Sequence, residues 1–141
     1  MTDDLDALYD AAIVARAKEA RRSRVPEAAA HRAKCVNELC GDRVEVGLVL
    51  EGERVTEVGF KARGCALSLA AAQALKEALE GRSRAEAAEL VARFRAALET
   101  GPDEASSAAP ELAPFLAVRR FPSRVRCATL AWEAADAALD T

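Results

Sequence analysis

Four cysteines and one aspartate are the residues of this sequence best suited to chemistry. Cys40 and Asp42 are two positions apart in the segment VNELCGDRVEV, where a loop passes into an alternating run typical of a strand. One interpretation is a plain turn, because Gly41 and Asp42 are common turn residues and Cys40 can fill a small apolar site. The other is a metal or sulfur site, since thiolate and carboxylate groups are both metal ligands.

A β-hairpin is predicted to position this segment. Its first strand alternates through Val44, Val46, Leu48 and Leu50, and its second through Val58, Phe60 and Ala62. The intervening EGER predicts a turn centred near Gly52–Glu53. Cys40 and Cys65 are equally far from that centre, so the hairpin register predicts that they face each other at its open end. Asp42 belongs to the same end.

Two of the cysteines occupy settings that favour a thiolate. Cys65 follows Arg63-Gly64 and begins a predicted helix, and Cys127 follows Arg124 and Arg126 near the start of the last helix. Free backbone N–H groups and positive side chains lower thiol pKa values. Three thiols and a carboxylate suit tetrahedral zinc or an iron–sulfur cluster. Periodicity alone does not bring Cys127 to the other two cysteines.

The remaining patterns predict helices around a small sheet. A helix from about residue 3 to the KEARRSR segment precedes a break at Pro26 and a short strand at roughly 30–36. Helical spacing then runs from Cys65 to Leu79, which Gly81 closes, and a capping box at Ser83–Glu86 opens the next helix. TGPDEASSAAP is predicted to be a loop, ELAPFLAV a short helix, and Pro122 the first turn of the last helix. We expect one α+β domain over residues 1–141, with a three-stranded antiparallel sheet and about five helices.

Composition excludes several classes of protein. The 141 residues are 51% hydrophobic and 30% charged, as in a globular chain, and the net charge of -3 lacks the basic excess of a nucleic-acid binder. No apolar run is long enough to span a bilayer, and the start, MTDDLDALYD, is acidic where a signal peptide is basic. These features predict a cytoplasmic protein with no membrane or nucleic-acid partner. In that reducing compartment, structural disulfides are not expected.

Other candidate ligands are few. No Cys-x-x-Cys pair occurs, and His31 is the single histidine, so zinc ribbons and sites with several imidazoles are excluded. We expect His31 to be solvated or hydrogen-bonded.

Three motifs resemble the U-type iron–sulfur assembly proteins, the family of IscU, NifU and SufU. They are Cys40-Gly41-Asp42, Gly64-Cys65-Ala66-Leu67-Ser68 and RVRCATLAW at 124–132, and the resemblance runs from about Leu8 to Leu139. Arg-Cys-Ala-Thr-Leu-Ala-Trp is similar to the SufU branch, whereas the IscU branch has histidine directly before that cysteine. The long interval between Cys65 and Cys127 also resembles SufU.

The resemblance implies a SufE/NifU-like fold and a metal site formed by Cys40, Asp42, Cys65 and Cys127. In SufU-like proteins zinc fills this site and the cysteine matching Cys40 accepts sulfur. In IscU-like proteins the same ligands build a transient [2Fe-2S] cluster. The implied partners are a pyridoxal-phosphate cysteine desulfurase (SufS-like) and downstream iron–sulfur assembly proteins. A hard carboxylate binds a soft centre less firmly than a thiolate, which keeps such a site labile.

Three functions therefore stay open: a zinc-bound sulfur acceptor, a scaffold for cluster assembly, and a structural metal module that only docks a partner. The first two are sulfur-transfer or scaffold roles rather than conventional enzymes. The chain departs from the family before Cys40, where Asn37-Glu38-Leu39 lacks the usual proline. Cys35 is not a family ligand, and we expect a buried strand thiol there, with a sulfur relay as the alternative. Arg126 is either a solvated charge or an electrostatic aid to the Cys127 thiolate.

Overall fold

The computed structural model describes residues 11–99 and 109–141. Its elements are α1 (Ala11–Ala20), β1 (His31–Val36), β2 (Arg43–Glu51), β3 (Arg54–Arg63), α2 (Ala66–Leu79), α3 (Arg84–Leu98), a 3-10 helix (Pro110–Arg120) and α4 (Pro122–Leu139). The strands form one antiparallel sheet in the order β1-β2-β3. The predicted α+β class, three-stranded sheet and five helices are confirmed across the described ranges. Residues 3–10 of the predicted first helix and most of the loop predicted at 100–110 lie outside them.

One face of the sheet carries the core. The alternating side chains of β2 and β3 are buried under α2 and α4, and Val46, Leu48, Val58 and Phe60 are fully buried there. Helix α4 packs on β1 and β2, while α2 packs on β3. The period-2 pattern therefore decides which residues meet the helices. Among the described helices, none is long and apolar enough to cross a membrane.

Among the described residues, the segment 24–29 covers the opposite face of the sheet at Gly47 and Gly59. Gly47 pairs with Gly59 across β2 and β3, and the segment 24–29 crosses directly over this pair. A Cβ atom at Gly47 would lie 2.6 Å from Val25 Cγ1, and one at Gly59 would lie 2.6 Å from Pro26 Cδ. Glycine is required here because another backbone approaches the sheet. Toward the open end of the hairpin, no other part of residues 11–99 and 109–141 closes this face, and a groove lies there.

The hairpin register changes by one residue along its length. Glu51 pairs with Arg54 and Leu50 with Val55, as predicted, but a β-bulge follows and Val49 pairs with Glu57. Thr56 is the extra residue, and its hydroxyl donates to the Val49 carbonyl at 3.2 Å. The last pair is Arg43 with Arg63. The prediction that Cys40 and Cys65 are register partners is therefore wrong, because an extra residue on β3 shifts the pairing.

Local signals at the helix ends are confirmed. The Ser83 hydroxyl accepts from the Glu86 N–H at 3.1 Å, and the Glu86 carboxylate accepts from the Ser83 N–H at 2.9 Å. Contacts of the Glu86 carboxylate with the backbone N–H and the side chain of Ser83 lower its pKa. Gly81 follows α2 with a φ of 91°, the left-handed conformation that favours glycine. Pro122 is in the first turn of α4, as predicted.

Trp132 joins the helices behind the sheet. Its side chain is fully buried, stacks on Phe94 of α3 with ring centroids 4.1 Å apart, and donates from Nε1 to the Ala71 carbonyl of α2 at 3.1 Å. Phe94 in turn meets Phe115 of the 3-10 helix edge-to-face at 6.1 Å. Trp132 therefore links α4, which carries Cys127, to α3 by ring stacking and to α2, which begins after Cys65, by its indole hydrogen bond.

Candidate metal centre

Three potential ligands meet at the open end of the hairpin. Cys40, Asp42 and Cys127 each offer one ligand atom, and these atoms all lie within 4.8 Å of one another. Cys40 is exposed, whereas Asp42 is 8% and Cys127 5% exposed. They come from the β1–β2 loop, the residue before β2, and α4. The packing of α4 on the sheet thus brings Cys127 to Cys40, which periodicity alone did not predict.

Local hydrogen bonds shape the loop that carries Cys40. The Asn37 N–H donates to the Asp42 carbonyl at 2.8 Å, and the Asn37 carbonyl accepts from Gly41 at 2.7 Å and from Cys40 at 3.3 Å. The Asn37 side chain also accepts from the Leu39 N–H at 3.2 Å, as in an Asx turn. Gly41 has a φ of 81°. The turn spans residues 38–40, directly before Gly41, and Cys40 at its end is exposed. The two interpretations of this segment, a turn and a metal site, are therefore compatible.

Cys65 lies beside this group of three. It occupies the N-cap position of α2 and is half-buried. It is near enough to Cys127 to raise the pKa of that thiol, although its sulfur is not within 4.8 Å of all three ligand atoms. All four predicted site residues are therefore neighbours, with Cys65 on the α2 side.

Ser68 links Asp42 to Cys65. Its hydroxyl donates to Asp42 Oδ2 at 2.6 Å and lies 3.6 Å from Cys65 Sγ. Ser68 is 7% exposed, so this bond to a carboxylate is buried. Ser68 is the last residue of the motif that begins at Gly64, and its role was not predicted from the sequence. Its position three residues after Cys65, one helical turn on, is a signal that it shares the face of that cysteine.

Gly64 leaves room for the Asp42 carboxylate. A Cβ atom at this position would lie 2.6 Å from Asp42 Cγ and 2.8 and 2.9 Å from its two oxygens. Any side chain at position 64 would therefore displace Asp42. This close approach follows from the shifted register, because Asp42 and Gly64 come directly next to the last pair, Arg43 and Arg63.

The electrostatics of Cys127 differ from the expectation. Burial, the neighbouring Cys65, Asp42 and Cys40 raise the pKa of Cys127 to about 12, so its apo form is a thiol at neutral pH. Arg126 does not offset this, because both of its guanidinium bonds at 3.3 Å go to Glu133. Arg126 is bonded to Glu133 instead, and the pKa of Cys127 is raised, whereas the predicted electropositive setting would lower it. The positive charge that this cluster lacks is one that a metal cation supplies.

Cys35 and His31 lie apart from the group of three. Cys35 is half-buried on β1 opposite Val44, and burial raises the pKa of its thiol. His31 Nδ1 is 3.0 Å from the Thr141 hydroxyl, which confirms the expected hydrogen-bonded histidine.

The donor set fits a zinc ion or an iron–sulfur cluster. Both centres take thiolate ligands, and zinc also accepts a carboxylate oxygen. Two of the donors, Asp42 and Cys127, are buried. Ser68 hydrogen-bonds Asp42, as expected of a residue outside the ligand set that orients a metal ligand.

Residues 8–141 match the NifU-like N-terminal domain. The chain belongs to this family. Its predicted resemblance to the U-type assembly proteins is thereby confirmed.

Two characterised relatives of this NifU-like domain have different activities. The chain is 29% identical over 100 residues to the zinc-dependent sulfurtransferase SufU of Bacillus subtilis, a match that covers 71% of this chain and 68% of that protein. It is 28% identical over 103 residues to the iron–sulfur cluster assembly scaffold protein IscU of Streptococcus pyogenes, which covers 73% and 65%. The matches thus span about two thirds of each relative, and they support a role in iron–sulfur cluster assembly.

Solved structures show the same fold. A candidate iron–sulfur cluster assembly scaffold protein for the SUF system from Fervidobacterium islandicum superposes with a TM-score of 0.85 at 25% identity, covering 94% of this chain and 96% of that one. The NifU-like N-terminal domain protein from Brucella abortus has a TM-score of 0.84 at 22% identity and covers 98% and 96%. The second likeness concerns the fold alone.

Ser68→Ala is expected to weaken zinc binding by about 10- to 100-fold, because outer residues that hydrogen-bond a ligand contribute on this scale. Without the hydroxyl, Asp42 loses the bond that sets its orientation. Zinc affinity is measured by competition with a chromophoric chelator. Ser68→Thr keeps the hydroxyl and should restore most of the affinity, while Ser123→Ala, at an exposed position of α4, is the neutral control. Equal affinities for Ser68→Ala and wild type would contradict the role of Ser68.

Proposed function

We propose that this protein accepts persulfide sulfur from a cysteine desulfurase at Cys40, within a zinc site formed by Cys40, Asp42, Cys65 and Cys127. The observation that carries this proposal is the contrast in exposure within one cluster. Cys40 is exposed, whereas the ligand atoms of Asp42 and Cys127, within 4.8 Å, belong to buried residues. One thiol can therefore meet a partner while the other donors stay inside.

Zinc, when bound at this site, keeps cysteine ligands as thiolates at neutral pH. Cys127, which is a thiol at neutral pH in the apo protein, would have to lose its proton to serve as a ligand. Affinity for the metal should accordingly fall as the pH is lowered, because protons compete for the thiolates.

The transfer step needs a free Cys40 thiolate. That thiolate attacks the outer sulfur of the donor's cysteine persulfide, and a new sulfur–sulfur bond forms at Cys40. The sulfur–sulfur bond of the donor breaks, and the donor cysteine leaves as a thiolate with the bonding electron pair. The products are a Cys40 persulfide and a reduced donor, with no change in the total number of electrons.

The fold gives Cys40 more freedom than the other two thiols. Hydrogen bonds to Asn37 hold the backbone of its loop in place. Rotation of the Cys40 side chain is therefore enough to turn the sulfur toward a partner. Cys127 is buried on a packed helix, and Cys65 is tied to the start of α2 and to Ser68. Asp42 is held by Ser68 and keeps its place when Cys40 turns away.

A scaffold for transient [2Fe-2S] assembly is the second candidate. The similarity to IscU supports it, and the same three thiols and carboxylate are suitable cluster ligands. A purely structural metal module fits less well, because such sites are closed and this one has an exposed cysteine. In either sulfur role we place the protein in the cytoplasm, with downstream iron–sulfur assembly proteins as recipients.

The test is to map persulfides by mass spectrometry after incubation with a SUF-type cysteine desulfurase and free cysteine. We expect sulfur on Cys40 in the wild type and in Cys35→Ser, and none in Cys40→Ser. A persulfide on Cys127 or Cys35 that survives Cys40→Ser would reject the assignment. No persulfide on any cysteine, together with a cluster that can be reconstituted, would establish the scaffold instead.

A further inference from the structure

A groove of about 590 Å³ lies on the face of the sheet opposite α2 and α4, next to the candidate metal centre. Two rows of outward side chains cross it. The row next to the centre is Val36, Arg43 and Arg63, and the row behind it is Lys34, Glu45 and Lys61. The next row, at Gly47 and Gly59, is closed by the segment 24–29. Arg32 fixes that segment through bonds to the Ala29 and Pro26 carbonyls at 2.8 and 3.0 Å.

The groove is basic on an acidic protein. Its charged lining residues are Lys34, Arg43, Lys61 and Arg63 against Glu45, while the whole chain has a net charge of -3. Throughout residues 11–99 and 109–141, none of these four basic side chains has an ion pair with a carboxylate within 4.0 Å. The positive charge is therefore available to a partner.

The pairing of Arg43 with Arg63 does not stabilise the fold. Arg43 and Arg63 are direct partners across two antiparallel strands, and like charges in such positions are destabilising. They are also the residues adjacent to Asp42 and Gly64, at the edge of the centre. An anionic group seated between them would relieve the repulsion.

Two exposed apolar side chains lie at the end of the groove that is next to the candidate metal centre. Leu39, directly before Cys40, is 99% exposed, and Val36 is 45% exposed. Large apolar side chains with this exposure beside a charged groove are typical of the contact residues of protein interfaces.

We propose that this groove and Leu39 dock an acidic, partly apolar surface of the sulfur donor, so that its persulfide arrives at Cys40. This inference rests on the proposed sulfur-acceptor function and names the surface that the donor uses. Carboxylates of the donor lie over Arg43, Arg63, Lys34 and Lys61, and an apolar pocket of the donor receives Leu39. A protein with local acidic groups suits this groove better than a nucleic acid, because the chain as a whole is acidic.

The test measures binding and transfer separately. The test variant is the double substitution Lys34→Glu/Lys61→Glu, which reverses charges in the groove and replaces none of the candidate ligands. The control is Lys18→Glu/Arg21→Glu, which makes the same change in charge at exposed positions at the end of α1. The dissociation constant for a purified SUF-type cysteine desulfurase is measured by titration calorimetry at low and high salt. We expect the groove variant to bind about tenfold or more weakly, with a smaller salt dependence than wild type. The control should bind as wild type does.

A small persulfide donor, glutathione persulfide, separates the two proposals. The groove variant should form the Cys40 persulfide from this donor at the wild-type rate, because no docking is needed, while transfer from the desulfurase slows. Equal affinity of the groove variant and wild type for the desulfurase, or no binding to wild type, overturns the docking surface. Failure of both donors to modify Cys40, with groove-dependent binding intact, overturns the sulfur-acceptor function and leaves the docking surface supported.

Leu39→Ser should weaken binding to the desulfurase without changing the salt dependence of that binding.

Discussion

Cys65→Ser and Cys127→Ser are expected to remove most of the bound metal, and Cys35→Ser none of it. A serine hydroxyl does not supply a thiolate at neutral pH, so each of the first two changes takes one soft donor from the centre. The ligand atom of Cys127 lies within 4.8 Å of those of Cys40 and Asp42, and Cys65 is close enough to raise the pKa of the Cys127 thiol. Cys35 is on β1, outside that group.

Elemental analysis of protein purified without added metal, both aerobically and anaerobically, checks this expectation. It also identifies the metal, since zinc should dominate if the protein is a sulfur acceptor, and iron with sulfide if it is a scaffold. Circular dichroism of each variant controls for loss of the fold. Equal losses of metal from Cys35→Ser and Cys65→Ser would mean that the ligand set is wrong.

Trp132→Ala is expected to reduce the free energy of unfolding by about 3–5 kcal/mol, as for other large-to-small changes at buried aromatics. It removes the stacking on Phe94 and the bond to Ala71 and leaves a cavity between α2, α3 and α4. A loss of this size is a large fraction of the roughly 5–15 kcal/mol that stabilises a typical domain. The relative position of Cys65 and Cys127 depends on these helices, so metal affinity should fall as well.

Urea denaturation of the metal-free proteins isolates the packing contribution. Trp132→Phe keeps an aromatic ring against Phe94 but loses the indole N–H, and should cost about 1–2 kcal/mol. The alanine variant should then be clearly less stable than the phenylalanine variant. Similar values for the two would show that the hydrogen bond, and not the stacking, carries the effect.

Much of the fold was accessible from sequence because its signals are local. The alternation of β2 and β3 and the glycine turn between them predict the hairpin, while Ser83–Glu86 and Pro122 mark the starts of two helices. Each signal depends on residues within a few positions of one another. The resemblance of three short motifs to the U-type proteins then pointed to Cys40, Asp42, Cys65 and Cys127.

Other features depend on residues that are distant in sequence. The bulge at Thr56 moved the register by one and placed Asp42 against Gly64, and no local pattern marks that extra residue. Arg126 was expected to assist Cys127, but it is bound to Glu133 two turns along α4, and which of the two neighbours it reaches depends on side-chain direction.

The sequence by itself determined the strands, the helix starts and the residues able to bind a metal, because backbone preference and side-chain chemistry are local properties. Only the tertiary structure decided that Cys127 meets Cys40 and Asp42, that Ser68 orients the carboxylate, and that the basic groove opens beside them. Those relations arise when α2 and α4 pack on one face of the sheet and the segment 24–29 crosses the other face at Gly47 and Gly59. Packing brings together residues that are far apart in the chain, and no local sequence pattern indicates which of them will be in contact.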